Sequence, residues 1–265
     1  MNQRRAAPHE TGTRSFSLHG LNALVIGGSS GIGSALAVGL LEAGARVAIA
    51  GRTQQKVEAV TQRLRETDAL TLGYTVDVAD IAKLEAFLDQ AIAELGQVDI
   101  LVPCQGITRL KAAEEFTPSD YDAIMGTNMR SVFFSCTHIG RHMLARGSGA
   151  IINIGSMAAH SGFPRSAVYA VSKHGVIGLT KTLAAEWASR GVRVNAISPG
   201  FFPTELTRQA MSEERRDRAL QRTPAGRFGN LDELVGTAVY LASPAAAFVT
   251  GAVINVDGGY LAAGI

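Results

Sequence analysis

Tyr169 and Lys173, four residues apart in SAVYAVSK, are the side chains whose types and spacing suggest chemistry. From Ser166 onward the apolar residues Val168, Val171, Val176, Ile177, Leu179, Leu183 and Trp187 recur at intervals of three and four. That period marks an amphipathic helix. Helical positions i and i+4 share a face, with Cβ atoms about 5–6 Å apart, so both polar tips reach one small volume. A free phenol titrates near pH ~10, and an ammonium about 4–6 Å away lowers such a pKa by ~1–3 units. Reaching neutrality takes about three units, roughly 4 kcal/mol, so a second positive charge is needed beside the lysine. A phenol tuned in this way exchanges a proton with a substrate oxygen. The same spacing also describes an ordinary solvated helix pair, and the rest of the chain must decide between the two.

Composition narrows the field. The chain has 265 residues, 46% hydrophobic and 18% charged, with a net charge of +2. It is long enough to bury a sizeable core and too apolar to be disordered. No basic stripe interleaved with aromatics supports a nucleic-acid partner. Cys104 and Cys136 form neither a disulfide framework nor a metal-spaced cluster, and six scattered histidines imply no metal site. A reduced, cytoplasmic setting is expected. No apolar run approaches the roughly 20 residues of a membrane span. Residues 1–15 are polar, lack the apolar centre of a signal peptide, and read as a flexible tail preceding a single domain over 16–265.

The elements that must position Tyr169 and Lys173 alternate in kind. Apolar runs at Leu21–Gly27, Arg46–Ala50, Ala69–Val76, Asp99–Val102, Ala150–Ile154, Val192–Ile197 and Ala252–Val256 read as strands. Between them, helices are predicted over Gln54–Arg65, Ile81–Leu95, Pro118–Arg146 and Leu231–Leu241, besides one after Gly33 and the Tyr169 helix. Several strands are continuously apolar, as a sheet covered on both faces requires. With right-handed crossovers, this is a three-layer, doubly wound parallel α/β sheet of about seven strands.

The first strand runs directly into a glycine-rich loop, Ile26–Gly33 (IGGSSGIG). Gly27 permits a tight turn, while Gly31 and Gly33 remove side chains where backbone approaches a pyrophosphate and helix packs on sheet. Amides at the helix start favour the anion. The spacing, Gly-x-x-x-Gly-x-Gly, is wider than the common dinucleotide fingerprint. About 20 residues on, an NAD enzyme usually holds the ribose 2′-hydroxyl with an acid. Here the second strand ends Gly51-Arg52-Thr53. Arg52 suits a 2′-phosphate, which predicts NADP(H) over NAD(H); the alternative is a plain surface arginine. Asp77, with the Val78 backbone, is placed to hold an adenine or, alternatively, to cap the following helix.

Together these motifs resemble the short-chain dehydrogenase/reductase family, a group of Rossmann-type enzymes, from Phe16 to the C-terminus. The matching landmarks are Gly27, Gly31 and Gly33; Asp77; Asn128 in TNMRS; Ser156 in INIGS; Tyr169-x-x-x-Lys173; and Pro199-Gly200 with Thr204. Ser156 precedes Tyr169 by 13 residues, the separation usual in the family. The resemblance implies that Tyr169 is the general acid/base and that Ser156 hydrogen-bonds the same substrate oxygen. Lys173 then lowers the tyrosine's pKa and grips the nicotinamide ribose, and Asn128 holds a water in a proton relay. Ser29, Ser30, Ile32 and Gly106 join the cofactor-binding set, as do Phe202, Thr204 and the Pro199-Gly200 backbone. An oxidised nicotinamide ring supplies the second positive charge. Two features depart from the family. Ile26 replaces the usual threonine before the first glycine, and Pro103-Cys104-Gln105-Gly106 replaces Asn-Asn-Ala-Gly. A strand interior tolerates proline poorly, so Pro103 is expected just past the strand's end. The Tyr-x-x-x-Lys spacing argues against the enoyl-reductase branch.

For the substrate, FSLHG, the Gly51-Arg52 turn and RTPAGRFGNLDELVG resemble the sugar-acid and polyol branch, such as gluconate 5-dehydrogenases. Arg109 stands where an arginine fork would clamp a carboxylate, or where it would form a surface salt bridge. His160 and Arg165 border the expected pocket, with loop packing as their other reading. The family resemblance implies a substrate lid over residues 201–222, whose charges read mostly as a solvated helix face. The resulting expectation is an NADP(H)-dependent oxidoreductase moving a hydride between nicotinamide and a secondary alcohol or ketone. Rival readings are a 3-oxoacyl-carrier-protein reductase and a non-catalytic NADP(H)-binding regulator. The apolar end Val253–Ile265 resembles the family's subunit-contact segment, which implies a homotetramer or dimer.

Overall fold

Side chains alternate across a strand, and in the first strand, β1 (Asn22–Ile26), this sends Leu24 and Ile26 to one face and Ala23 and Val25 to the other. All four are fully buried. The same split recurs in β2 (Arg46–Gly51), with Ala48 and Ala50 opposite Val47 and Ile49. Strands apolar on both sides need cover on both sides. In the computed structural model, which describes residues 15–205, 207 and 212–263, that cover is complete. Residues 1–14 of the expected tail, residues 206 and 208–211 of the expected lid, and residues 264–265 lie outside the described residues.

After β1 come α1 (Gly31–Glu42), β2, α2 (Gln54–Arg65), β3 (Leu72–Thr75) and α3 (Ile81–Leu95). Then follow β4 (Ile100–Pro103), α4 (Pro118–Met125), α5 (Ser131–Arg146), β5 (Gly149–Ile154) and α6 (Ala167–Trp187). The chain continues through β6 (Val192–Pro199), α7 (Glu213–Gln221), α8 (Val235–Ala242) and β7 (Val253–Val256). The seven strands form one sheet in the order β3-β2-β1-β4-β5-β6-β7, each pair parallel. One core layer packs α3, α5 and α6 against the sheet through residues such as Phe87, Ile139 and Leu183. The other packs α1, α2 and α8 through Leu36, Leu64 and Leu241. This is the doubly wound three-layer architecture predicted above. Strand order reverses between β1 and β4, and a doubly wound sheet opens its ligand crevice at such a point, beyond the carboxyl ends of the strands.

Three local features differ from the sequence reading. The helix expected over Pro118–Arg146 is interrupted by a π turn at Gly126–Arg130. A turn of that kind adds a residue without breaking the rod, and here it carries Asn128. The third strand begins at Leu72, because Thr67–Thr71 form a turn with Thr71 N bonded to Asp68 O at 3.1 Å. Pro103, expected beyond the strand, is the last residue of β4 and lies opposite Ile26. Backbone groups alternate sides along a strand, and Cys104 N bonds Ile26 O at 2.8 Å, so the missing Pro103 N–H faces β5. The ladder with β5 ends there after Ile100↔Ala150 and Leu101↔Ile151.

Candidate active site

At the carboxyl ends of the strands lies a groove of about 450 Å³. Its walls include Gly27, Ser29, Ser30, Gly31, Ile32, Gly33, Arg52, Asp77, Val78, Gly106, Tyr169, Lys173, Pro199, Gly200, Phe202 and Thr204. Every residue assigned to the cofactor therefore lies on one surface. Its floor is made of backbone. Gly27 has φ +79°, and a Cβ there would sit 2.7 Å from Gln105 N. A Cβ on Gly33 would sit 2.2 Å from Gly27 O, so α1 can lie this close to the loop only without a side chain. Ser30 precedes α1 without a side-chain cap bond, which leaves the first-turn amides open to an anion. Arg52 is exposed at the rim and makes no hydrogen bond or ion pair among the described residues. An uncapped helix start, a glycine floor and an unpaired arginine fit a phosphorylated dinucleotide. Asp77 is exposed on the groove, with Oδ1 accepting from Ala79 N at 3.1 Å.

The candidate catalytic side chains Ser156, Tyr169 and Lys173 also line the groove. Ser156 ends the loop after β5, and its Oγ accepts from Ala158 N at 3.1 Å. The neighbouring Ser156 hydroxyl draws the Tyr169 pKa down. Burial is the larger influence and leaves the phenol above its ordinary value. The Lys173 ammonium lies 5.8 Å from the centroid of the tyrosine ring and donates to Ile154 O at 2.8 Å. Burial pushes its pKa down to about 8. Asn128 is fully buried. Its Oδ1 accepts from Ile107 N at 2.8 Å, and its Nδ2 donates to Ile107 O at 2.9 Å and to Ser172 Oγ at 3.2 Å. The π turn thus braces the loop after β4 against α6.

In that loop, Cys104 lines the groove and burial raises its thiol pKa to about 11. Gln105 is buried, donating to Ser131 Oγ at 2.9 Å, while its Oε1 has no partner among the described residues. Ile26, in the place of the family's threonine, is fully buried in the core.

A second cavity, about 120 Å³, adjoins the groove. Ser156, Tyr169, Gly200 and Thr207 wall both spaces. Thr108, Leu110, Met157, Ala158, Phe163, Ser166, Phe201 and Arg215 complete it. The substrate candidates fare unevenly. Arg109 is drawn away to the buried Asp120, which Lys111 also pairs. Lys111, then the Thr117 amide, and Arg109 hold that carboxyl well below the usual range. His160 Nε2 lies 3.0 Å from Ser198 Oγ and does not line the cavity. Arg165 sits at φ +64°, just outside the lining residues. Arg215, by sequence one of many charges on a solvated face, instead lines the cavity. The signal that could have singled it out is its spacing, four residues before Ala219, the buried residue of α7. Near the C-terminus, Tyr260 packs on Phe163 and Phe201, with centroids 5.8 and 5.5 Å away, and so buttresses the cavity of its own chain.

Known proteins match this arrangement along nearly the whole chain. A family model described as enoyl-(acyl carrier protein) reductase matches residues 26–261. A D-threitol dehydrogenase from Mycolicibacterium smegmatis is 42% identical over 245 residues, covering 92% of this chain and 94% of its own. A gluconate 5-dehydrogenase from Gluconobacter oxydans is 40% identical, covering 92% and 96%. The crystal structure of a gluconate 5-dehydrogenase from Burkholderia cenocepacia, in complex with NADP and tartrate, superposes with a TM-score of 0.89. It is 40% identical and covers 94% of this chain and 98% of that one. A glycine-floored groove ending in a serine, a tyrosine and a lysine, on a chain so closely related to these enzymes, belongs to the short-chain dehydrogenase/reductase family, and the protein is an oxidoreductase acting on CH–OH groups.

Proposed function

We propose that the protein is an NADP(H)-dependent dehydrogenase of a small polyhydroxylated substrate, a sugar acid or polyol, oxidised at a secondary hydroxyl. The observation that carries this reading is that Ser156 and Tyr169 wall both the groove and the cavity. A substrate oxygen there would meet two hydroxyls. Ser156 holds it, and Tyr169 exchanges its proton as general acid/base. Lys173 supplies positive charge behind the phenol ring and reaches for the cofactor ribose. Asn128 holds the loop that carries Gly106, and a water beside it would pass the proton on. When bound, the nicotinamide supplies the hydride chemistry. The dehydrogenases of D-threitol and gluconate among the relatives support a polyhydroxylated substrate. The cavity is small and, between apolar walls that include Leu110, Phe163 and Phe201, carries the hydroxyls of Thr108, Ser166 and Thr207 beside those of Ser156 and Tyr169.

A screen of oxidation with NADP⁺ over sugar acids, polyols, simple secondary alcohols and 3-oxoacyl thioesters tests the reading. Turnover confined to the thioesters would shift it to an acyl-carrier-protein reductase. Tight cofactor binding with no turnover would shift it to a regulator.

The preference for NADP(H) over NAD(H) rests on Arg52, exposed and unpaired at the end of β2 where no carboxylate stands. Arg52→Ala should weaken NADPH binding about 10–100-fold, the loss of a charge-assisted contact, and leave NADH nearly unchanged. Tighter binding of NADH by the wild type would overturn the preference. Self-association as a tetramer or dimer draws support from the exposed apolar side chains Tyr121, Phe133 and Val171 on α4, α5 and α6. A monomer by light scattering at micromolar concentration would contradict it. Two free thiols, Cys104 and Cys136, suit a cytoplasmic setting. No helix among the described residues is long and apolar enough to cross a membrane.

A further inference from the structure

Charged side chains crowd α7, yet only one of them turns inward. Along Glu213–Gln221 the exposed positions include Glu213, Glu214, Arg216, Asp217 and Arg218. Residues at i and i+4 share a helix face, and Arg215 shares its face with the buried Ala219. The sequence thus aims one guanidinium at the body of the protein. It arrives in the wall of the cavity that holds Ser156 and Tyr169, where it is the one charged side chain among the described lining residues.

Several arginines elsewhere among the described residues have partners. Arg146 pairs with Asp99, Arg193 donates to Leu241 O and Ala242 O, Arg218 pairs with Glu214, and Arg227 pairs with Glu233. The Arg215 guanidinium has no hydrogen bond and no ion pair among the described residues. Its strongest charged neighbour is another cation, Arg165. Arg165 is held by a left-handed backbone that a non-glycine residue rarely adopts. Its carbonyl is tied down by Lys111 N at 3.0 Å, and its own guanidinium is likewise unpaired among the described residues. Burial and the Arg165 charge both press the Arg215 pKa down. A half-buried guanidinium stays protonated all the same, so the wall carries an uncompensated positive charge. Removing a charge from water without a partner is unfavourable, and an anion arriving from solution would relieve it.

We infer that Arg215, backed by Arg165, is the anion-binding residue of the substrate cavity, and that the substrate is a hydroxy acid held by its carboxylate, not a neutral polyol. The inference rests on the dehydrogenase reading above and chooses between the two substrate classes that reading leaves. A planar fork of N–H donors matches a carboxylate, while Ser156 and Tyr169 in the same cavity take the hydroxyl to be oxidised. The role is one of positioning. The guanidinium contacts substrate in ground state and transition state alike, so its loss should appear in KM and not in kcat.

The matched pair D-gluconate and D-glucitol, which differ only in carboxylate against CH2OH, tests the assignment on the full-length enzyme with NADP⁺. Arg215→Gln should raise the KM for gluconate and the Kd for tartrate, measured by calorimetry, about 10–100-fold. Its kcat on gluconate should stay within about threefold, and glucitol kinetics and NADP⁺ affinity should not move. Arg215→Lys should recover part of the loss, and Arg216→Gln, whose guanidinium packs on Phe228, should behave as wild type. Unchanged gluconate and tartrate binding in Arg215→Gln overturns the assignment, as do equal losses on gluconate and glucitol. A wild type that oxidises glucitol and binds neither anion also overturns it, with the dehydrogenase reading intact. A wild type that oxidises neither compound tells against the dehydrogenase reading, and tartrate calorimetry then still decides the anion site.

Discussion

The groove and the cavity share Ser156 and Tyr169, yet they are built on opposite plans. The groove is made of backbone: glycines at one strand end, a helix start without a side-chain cap, and strand ends that the sheet fixes in place. The cavity is made of side chains drawn from separate loops, with Thr108 after β4, Met157 after β5, Phe163 before α6, Phe201 after β6 and Arg215 on α7. A backbone surface recognises what all dinucleotides have in common. A side-chain surface recognises what distinguishes one substrate from another, and it can be rebuilt without disturbing the sheet.

Substitutions can break this division in order of size. Tyr169→Phe touches the wall common to both spaces and removes only the hydroxyl. Turnover should fall roughly 10²–10⁴-fold, the usual worth of a general acid/base, while fluorescence titration finds dinucleotide affinity unchanged. Retained turnover would remove the tyrosine from proton transfer. Gly33→Ala attacks the groove alone. Its new methyl would stand 2.2 Å from Gly27 O, so the loop and α1 must separate. Dinucleotide affinity should drop at least about tenfold, with a stability loss of about 1–3 kcal/mol of the overpacking kind. Tartrate binding should survive, and parallel loss of both ligands would mean the two spaces are mechanically one.

The smallest effect tests the seam between the spaces. Lys173 titrates near 8 in the folded protein against an ordinary 10.5. Its folded pKa is therefore depressed, and the unfolded chain binds the proton more tightly. Below pH 8 the buried ammonium destabilises the fold, by roughly 3 kcal/mol at most. That penalty fades as pH rises from 8 to 10.5 and the unfolded chain also loses the proton. Lys173→Met loses the bond to Ile154 O at every pH, so the informative quantity is the trend. The Tm of the variant relative to wild type should be most favourable near pH 7 and decline toward pH 10.5, by several degrees. A flat difference would show that the ammonium is better solvated than its burial implies.

What the sequence disclosed follows the same division. The glycine loop, the Tyr169–Lys173 spacing and the strand pattern are local signals, because backbone demands fall on consecutive residues. The Asn128 position was legible, but the π turn that presents it was not, since nothing in GTNMR marks an added residue. Arg109 looked like a carboxylate clamp because its partner Asp120 is supplied by a separate helix that packs against it. The inward turn of Arg215 was hidden among neighbouring charges and depends on the burial of Ala219 alone. Spacing brings the Lys173 ammonium near the ring, but it does not report the burial that raises the phenol's pKa.

Pro103 has a reach beyond its own position. Because β4 and β5 stop pairing after Leu101 and Ile151, the sheet is stitched most thinly at its middle, on the edge where the groove opens. β5 and β6, by contrast, stay in register from Gly149 to Ile154. Beyond Leu101↔Ile151 the two strands end without a shared rung, so that Cys104, Gln105 and Gly106 after one and Gly155 and Ser156 after the other form separate lips of the groove.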